Sequence, residues 1–441
     1  MNSNLQDKIK FYWPSILVII SQASIAGRIL LIDSVFSKKL SLSEFGTWKE
    51  MFIFLNILIT VLALGLAEGF KYFIAKEKNI TGYFSTLLII LFTITTVAIL
   101  IIGIFNVMHF FEFINIKRYY LTSLLFPLAF LTFTLNLSIR YVYINENKIN
   151  IHTVIILYFI PVSVLMLLGF YLFSEIFKEY YLFFGLITYI IVFGLPILIL
   201  IKKLNIRLKP LDKIFLKNML QQGIPLYLAT FVGLLCFNID KIIVSYFETK
   251  EVFAIFAAGA VEIPIFAMFS ASFSNNDYPK LVANIQSDNK EEARNIWLKT
   301  TRNVSYFMFP IILLMMIFAK EIIAIIYSKN FTESVFYFQT YLLLGLFRNN
   351  YYSGLIAASG NAKKVIQYSL VLLILNVIFT ISLYKTIGLK GIVFGTLIST
   401  VLFSILQLQH EKILKRYIIE IIGNKVIFAL IALIILAYFN C

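Results

Sequence analysis

Three arginines in or beside long apolar runs are the residues of this sequence best placed to do chemistry. Arg28 and Arg348 each lie within such a run, and Arg140 lies at the end of another. A charge at the centre of a bilayer is costly, so such residues usually face a cavity or a charged partner. A guanidinium binds phosphate oxygens through paired hydrogen bonds. We therefore predict that all three bind an anionic substrate. Each could instead pair with an acid on a neighbouring helix, and Arg140 could extend to the interface.

Polar and aromatic residues follow Arg348 directly. Asn349 and Tyr352 lie within the next four positions of the same run. Amides hydrogen-bond to hydroxyls, and aromatic rings stack on sugar faces. We predict that Asn349 and Tyr352 contact the substrate together with Arg348.

Acidic residues at membrane depth form a second set of candidates: Asp33, Asp240, Glu68 and Glu262. A buried acid can titrate and couple transport to an ion, or it can stay ionised and pair with a cation that holds two helices together. Lys241 follows Asp240 directly, which favours the pairing role for those two residues.

An internal repeat relates the two halves of the chain. The dipeptide Ile-Asp occurs at Asp33 and again at Asp240, late in the first apolar run of each half, and a glutamate follows eleven residues later, at Glu44 and Glu251. Both halves are expected to start on the same side of the membrane. They would then be parallel repeats related by an axis along the membrane normal.

The composition is that of a membrane protein. The chain has 441 residues, of which 60% are hydrophobic and 14% charged, and the mean hydropathy is +0.88. Soluble domains average roughly 45–50% apolar and about 25% charged residues. The net charge of +15 is explained by Lys and Arg retained on cytoplasmic loops, so no nucleic-acid partner is predicted. Two cysteines give neither a disulfide framework nor metal spacing, and no cofactor is predicted.

Apolar runs bounded by charge predict an all-α polytopic membrane protein with twelve core transmembrane helices. Residues 1–203 would form an N-terminal six-helix lobe, 204–218 a basic cytoplasmic linker, and 219–410 a C-terminal six-helix lobe. Residues 411–441 would add a thirteenth helix if the segment 418–439 spans. The Lys and Arg bias of the loops places the N-terminus in the cytoplasm.

Several of these segments carry more detailed predictions. The runs 50–75, 252–274 and 334–358 are each expected to be one continuous span, with Arg348 in the middle of the last. The segment 275–302 is expected to hold a short amphipathic helix at the interface, or else a solvated linker.

Four pieces of the chain resemble bacterial polysaccharide or O-antigen flippases (Wzx type) of the multidrug/oligosaccharidyl-lipid/polysaccharide exporter superfamily. The first is the run from Gly223 to Gly259, which resembles the start of the second lobe. The others are LSLSEFGTW at 40–48, ASGNAKKV at 358–365 and IGLKGIVFGTLIST at 387–400. One departure is Phe253, which stands where the second lobe commonly has the glycine that the first lobe keeps at Gly46.

The resemblance implies two six-helix lobes around a cationic cavity in the bacterial inner membrane. It implies flipping of an undecaprenyl-pyrophosphate-linked oligosaccharide by alternating access, which we expect to be ion-coupled. The substrate and membrane lipid would be the partners, with a glycan polymerase and glycosyltransferases acting alongside.

Two other functions are considered. One is export of a drug or metabolite within the same superfamily. The other is an integral-membrane glycan polymerase or ligase, which would need a large outer catalytic loop, and the sequence has short outer loops and no nucleotide-binding fingerprint. A transporter, and not an enzyme, is therefore predicted.

Overall fold

The computed structural model describes residues 30–77, 80–107, 120–146, 183–187, 189–191, 193–194, 197, 209–261, 263–348, 352 and 354–440. All regular elements in these ranges are helical, which confirms the predicted all-α fold. The helices of the first part are α1 (30–39), α2 (Leu42–Ala63), α3 (Leu66–Glu77), α4 (Ile80–Val107) and α5 (Tyr120–Glu146). Those of the second part are α6 (Lys213–Phe247), α7 (Lys250–Gly259), α8 (Pro264–Gln286), α9 (Lys290–Ile317), α10 (Ala319–Ile326), α11 (Ser334–Phe347), α12 (Gly354–Ala358), α13 (Ala362–Ile387), α14 (Leu389–His410), α15 (Leu414–Tyr417, continued by a π turn Ile418–Ile422) and α16 (Lys425–Asn440).

Among the described residues, six helices are long and apolar enough to cross a membrane, and a bent pair raises that number to seven. The chain is therefore a multi-pass membrane protein. The twelve-span count and the cytoplasmic N-terminus stay predictions.

The chain forms two compact units whose boundaries interleave along the sequence. Unit 1 comprises residues 1–35 and 51–231, and unit 2 comprises 36–50 and 232–441. Helices α2 and α6 therefore each pass from one unit into the other. The division into lobes at 1–203, 204–218 and 219–410 stays a prediction.

Unit 1 holds a close crossing of two glycines. Leu64 and Gly65 have positive φ angles of 45° and 74° and separate α2 from α3. A Cβ at Gly65 or at Gly223 would lie within 2.3 Å of the other residue's backbone. The predicted span 50–75 therefore has the wrong bounds, because left-handed residues interrupt the helix where the backbone of α6 approaches closely.

Unit 2 corrects two more predicted segments. The run 252–274 is broken, since α7 ends at Gly259 and α8 begins at Pro264, a residue suited to the first turn of a helix. The segment 275–302 holds neither a separate interfacial helix nor a solvated linker. Helix α8 continues to Gln286, and α9 begins at Lys290 and continues to Ile317. Asn289 caps the start of α9, and Trp297 is buried.

The last part of unit 2 contains two further breaks. Helix α11 ends at Phe347, so Arg348 caps its C-terminus and does not lie in the middle of a span over 334–358. The segment 418–439 is not one straight span either. Leu414–Ile422 and Lys425–Phe439 meet at a bend of 83°, because Gly423 and Asn424 interrupt the helix.

Two neighbouring spans of unit 2 pack through small and polar residues. A Cβ on Gly395 of α14 would lie 2.6 Å from the Cα of Thr380 on α13. Asn376 is buried, and its Oδ1 accepts hydrogen bonds from Thr380 (2.8 Å) and Thr396 (3.3 Å). Small residues bring helix backbones together in membranes, and polar side chains then bond across the contact. These contacts hold α13 and α14 close together, and α14 also packs against α11.

Candidate functional site

Two charged residues of α6, Asp240 and Lys241, lie near Phe237 on that helix. Phe237, Asp240 and Lys241 are three and four residues apart, a spacing that places side chains next to each other. Asp240 is only 1% exposed, and its Oδ1 lies 3.5 Å from the Nζ of Lys241. The same carboxylate oxygen accepts the backbone N–H of Lys241 at 2.7 Å. The two charges are therefore within ion-pair distance, and the helix-pairing role predicted for these residues stays a prediction.

Helix α11 adds an aromatic ring to this pair. The Nζ of Lys241 lies 5.1 Å from the ring centre of Tyr341 and donates to the carbonyl of Phe237 at 3.1 Å. A cation over an aromatic face is stabilised by the ring quadrupole. Lys241 thus links α6 to α11 while its side chain stays 12% exposed.

Arg348 completes the cluster at the C-terminus of α11. Its guanidinium carbon lies 5.0 Å from the ring centre of Phe237. Its position at a helix C-terminus is favourable for a cation, because the last carbonyls of the helix carry partial negative charge. Arg348 is half-buried, whereas Phe237 is 45% exposed.

The cluster has an excess of positive charge and an aromatic surface. Lys241 and Arg348 supply two cations, and Asp240 supplies one anion. Such an arrangement suits an anionic group, because a guanidinium is a planar fork of N–H donors that matches the geometry of phosphate oxygens. We call Phe237, Asp240, Lys241, Tyr341 and Arg348 the α6–α11 cluster.

The remaining candidate substrate residues fall elsewhere or outside the described residues. Arg28 and Asn349 lie outside them, and for Arg140 only the backbone, within α5, is described. Tyr352 is buried in unit 2, and its hydroxyl lies 3.1 Å from that of Tyr417. Its predicted contact with a substrate stays a prediction, and the observed geometry gives it a packing contact.

The candidate acids are dispersed. Asp33 is buried, at 4% exposure, in α1, and Glu68 is half-buried in the first turn of α3. Glu262 lies outside the described residues. Within the described residues, no group of three or more His, Cys, Asp or Glu could hold a metal ion. The ion-coupling role of these acids stays a prediction.

The sequence repeat has a local structural counterpart in unit 2. Ser41 and Glu44 form reciprocal hydrogen bonds at the start of α2, the arrangement of a capping box. Glu251 lies in the first turn of α7, whose cap is Thr249. The carboxyl of Glu251 has a pKa below its ordinary value, first because of its backbone hydrogen bond and then because of Thr249 and Ser43. Both glutamates thus begin the second helix of their half.

An ion pair beside these caps was not predicted. The carboxylate of Glu50 lies 2.5 Å from the Nζ of Lys250 and also bonds to the hydroxyl of Ser245. Both charged residues come from the repeated segments, at the end of 40–50 and at the start of α7. The repeat therefore points to both segments, but nothing in the sequence predicts that these two residues form an ion pair.

The comparisons with known proteins fit this architecture. Residues 35–336 match the model of a family described as polysaccharide biosynthesis protein. The chain belongs to this polysaccharide biosynthesis family. No curated protein matches the sequence.

Solved structures share the fold at low sequence identity. An inward-facing multidrug resistance MATE family transporter of the MOP superfamily aligns with a TM-score of 0.68 and 15% identity, over 90% of this chain and 99% of that chain. The lipid II flippase MurJ, in an inward closed conformation, aligns with a TM-score of 0.65 and 14% identity, over 97% of both chains. A MOP superfamily transporter from Pyrococcus furiosus aligns with a TM-score of 0.62 and 14% identity, over 92% of this chain and 95% of that chain. The predicted membership of a polysaccharide family and the predicted all-α membrane fold are confirmed.

Proposed function

We propose that this protein flips an undecaprenyl-pyrophosphate-linked oligosaccharide, an O-antigen or related surface-glycan repeat unit, across the bacterial inner membrane. The family match to polysaccharide biosynthesis proteins supports a glycan pathway. The fold shared with a lipid II flippase supports movement of a lipid-linked substrate. Transport would proceed by alternating access coupled to an ion.

The observation that carries this proposal is the α6–α11 cluster. A pyrophosphate needs cations. Arg348 lies over the exposed ring of Phe237, and Lys241 donates to the backbone carbonyl of the same residue. The guanidinium would bind phosphate oxygens bidentately, and the exposed ring offers a face for a sugar. The ammonium of Lys241 would add positive potential, while Asp240 keeps it in place. Arg28 and Arg140 are proposed to add cations to the same substrate path.

The test is glycan export by variants of Arg348. A strain that lacks the gene should accumulate lipid-linked repeat units on the cytoplasmic face and lose surface glycan. Arg348→Ala should fail to restore display, and Arg348→Lys should restore it in part, because an ammonium keeps the charge but loses the bidentate geometry. Membrane insertion is checked by quantifying the protein in washed membranes.

A matched control is Lys390→Ala. Lys390 also lies over an aromatic ring, that of Phe336, at 4.9 Å, but outside the α6–α11 cluster. It should support normal display. Normal display by Arg348→Ala would remove the cationic site from the proposal, and normal glycan in the deletion strain would remove the flippase function itself.

Export of a drug or metabolite is the second candidate function, because multidrug transporters share the fold. It predicts that the deletion strain becomes sensitive to cationic drugs while its surface glycan stays normal. A glycosyltransferase or polymerase gene beside this one would favour the first function.

A further inference from the structure

The bend that joins α14 to α16 carries three lysines that have no side-chain partner among the residues that the structure describes. Lys412, Lys415 and Lys425, here called the interfacial lysines, are exposed. None of the three forms an ion pair or hydrogen bond through its side chain within the described residues. In a multi-pass membrane protein, unpaired cations at a helix bend are placed to meet lipid headgroups.

The two helical segments that meet at the bend are nearly perpendicular. Helix α16 packs along α9, a helix of spanning length, and its Tyr438 lies 3.0 Å from the hydroxyl of Thr340 on α11. The segment Leu414–Ile422 is turned by 83° from Lys425–Phe439. If α16 follows the membrane normal with α9, the preceding segment lies close to the membrane plane.

The inner side of this segment is anchored to unit 2. Ile413, Tyr417 and Ile421 recur every four residues and are all buried. The ring of Tyr417 packs 6.3 Å from that of Trp297 on α9. The hydrogen bond between Asn424 and Tyr306, at 2.9 Å, holds the turn itself. The segment is therefore a fixed part of the unit.

The outer side of the segment is apolar. Ile418, Ile419 and Ile422 are 47%, 60% and 38% exposed. Lys415 precedes these isoleucines, and Lys425 follows them. Exposed aliphatic side chains flanked by lysines are the pattern of a helix that lies in a membrane interface, with its apolar side chains among the acyl chains.

The acids near the bend are occupied by other groups. Arg416 donates to Glu420 at 3.1 Å and to Glu291 of α9 at 3.1 Å. Glu411 lies 3.1 Å from the ring of His410. The interfacial lysines therefore keep their charge toward the outside, and residues 410–425 carry a net formal charge of +2 from four cations and two acids.

We propose that the bend 411–425 binds the headgroups of anionic phospholipids at one face of the membrane. The interfacial lysines would contact the lipid phosphates, and the exposed isoleucines would insert between acyl chains. This site is separate from the α6–α11 cluster and does not rest on the proposed transport function. It would hold the bend at a constant depth in the bilayer.

The experiment uses the full chain purified in detergent and a fluorescent phosphatidylglycerol, with phosphatidylcholine as the zwitterionic comparison. Each lysine near a charged headgroup should contribute about fivefold in affinity, and all three together about a hundredfold. A variant with Lys412→Gln, Lys415→Gln and Lys425→Gln should bind phosphatidylglycerol correspondingly more weakly. Binding to phosphatidylcholine should not change.

Two further variants serve as controls. The first removes three exposed lysines from other parts of unit 2 by Lys320→Gln, Lys329→Gln and Lys385→Gln, and it should bind phosphatidylglycerol as the wild type does. The second replaces the interfacial lysines by arginine and should also keep the affinity. The wild-type affinity should fall steeply between about 50 mM and about 500 mM salt, because charge interactions at a surface are screened.

Three results would overturn the proposal. Equal loss in both glutamine variants would indicate a general charge effect. Equal affinity of the wild type for the two lipids would exclude headgroup recognition. Loss of affinity in the arginine variant would show that something other than charge is needed. If the variant of the interfacial lysines to glutamine does not fold, the arginine variant and the salt titration of the wild type still test the proposal.

Discussion

Removing either charge of the buried pair on α6 should cost more than removing both. Asp240 is 1% exposed and Lys241 is nearly as enclosed, with their charged atoms 3.5 Å apart. The variants are Asp240→Asn, Lys241→Met and the double replacement. Asparagine keeps an oxygen that can accept the backbone N–H of Lys241, so the first variant mainly removes charge.

The magnitude follows from the distance. At an effective dielectric constant of about 20, two unit charges 3.5 Å apart attract by roughly 5 kcal/mol, and desolvation of both charges offsets much of this. Removing one partner of a buried pair typically costs about 3–5 kcal/mol, whereas replacing both is often close to neutral. We expect a loss of about 3 kcal/mol for each single variant and less than about 2 kcal/mol for the double variant, a coupling energy of roughly 4 kcal/mol.

The assay is reversible unfolding of the purified protein in mixed detergent micelles, followed by circular dichroism. A matched control exists in the sequence, because Lys320 and Glu321 are also a neighbouring base and acid but are both exposed. The variants Lys320→Met and Glu321→Gln should each change the unfolding free energy by less than about 1 kcal/mol, with no measurable coupling.

Additive costs for Asp240 and Lys241 would contradict this prediction, since independent losses mean that the two charges do not stabilise each other. A second outcome would give Asp240 a role in coupling transport to protons. If Asp240→Asn unfolds as the wild type does but shifts the pH dependence of transport, the carboxyl titrates during the cycle. Transport in membrane vesicles at several pH values measures this directly.

Two further predictions concern packing and pH. Gly395→Leu should lower the unfolding free energy by at least about 2 kcal/mol, because its Cβ would lie 2.6 Å from the backbone of Thr380 and overpacking is costly. The control Gly103→Leu should be tolerated, since a Cβ there meets nothing within 4 Å. Equal thermal stability of the two variants would contradict this prediction. Burial raises the pKa of the Asp277 carboxyl, but hydrogen bonds from Lys280 and Thr300 outweigh it and leave the pKa below the ordinary 3.8. A lowered folded-state pKa stabilises the protein above the ordinary value, and the stabilisation is lost as pH falls through the folded-state pKa. The unfolding free energy of Asp277→Asn should therefore fall less than that of the wild type as the pH drops below about 4. Identical pH profiles of the two proteins would contradict this prediction.

Sequence reasoning succeeded where an effect depends on nearby residues or on composition. The apolar runs predict helices, and the distance of 3.5 Å between the charged atoms of Asp240 and Lys241 reflects their adjacency in the chain. Each of these depends on residues within one helical turn or on the hydropathy of one segment.

Sequence reasoning failed where helices are interrupted or where residues meet across long separations. An apolar run looks the same whether or not it is broken, so the left-handed residues Leu64 and Gly65 and the end of α11 before Arg348 were missed. Glu50 and Lys250 lie 200 residues apart, and only the fold brings them together. The placement of Arg348 over Phe237 has the same origin.

The two repeated segments differ at one position in a way that the packing explains. Gly46 and Phe253 each lie thirteen residues after the aspartate of their half. A Cβ on Gly46 would lie 2.1 Å from the carbonyl oxygen of Lys250, so only glycine allows this backbone approach. Phe253 is completely buried, and its helix is still capped by Thr249. A second glycine is therefore not needed to form the turn of α7. One repeat supplies the close backbone contact and the other supplies a buried aromatic side chain, so the departure from the family pattern at Phe253 leaves the architecture intact.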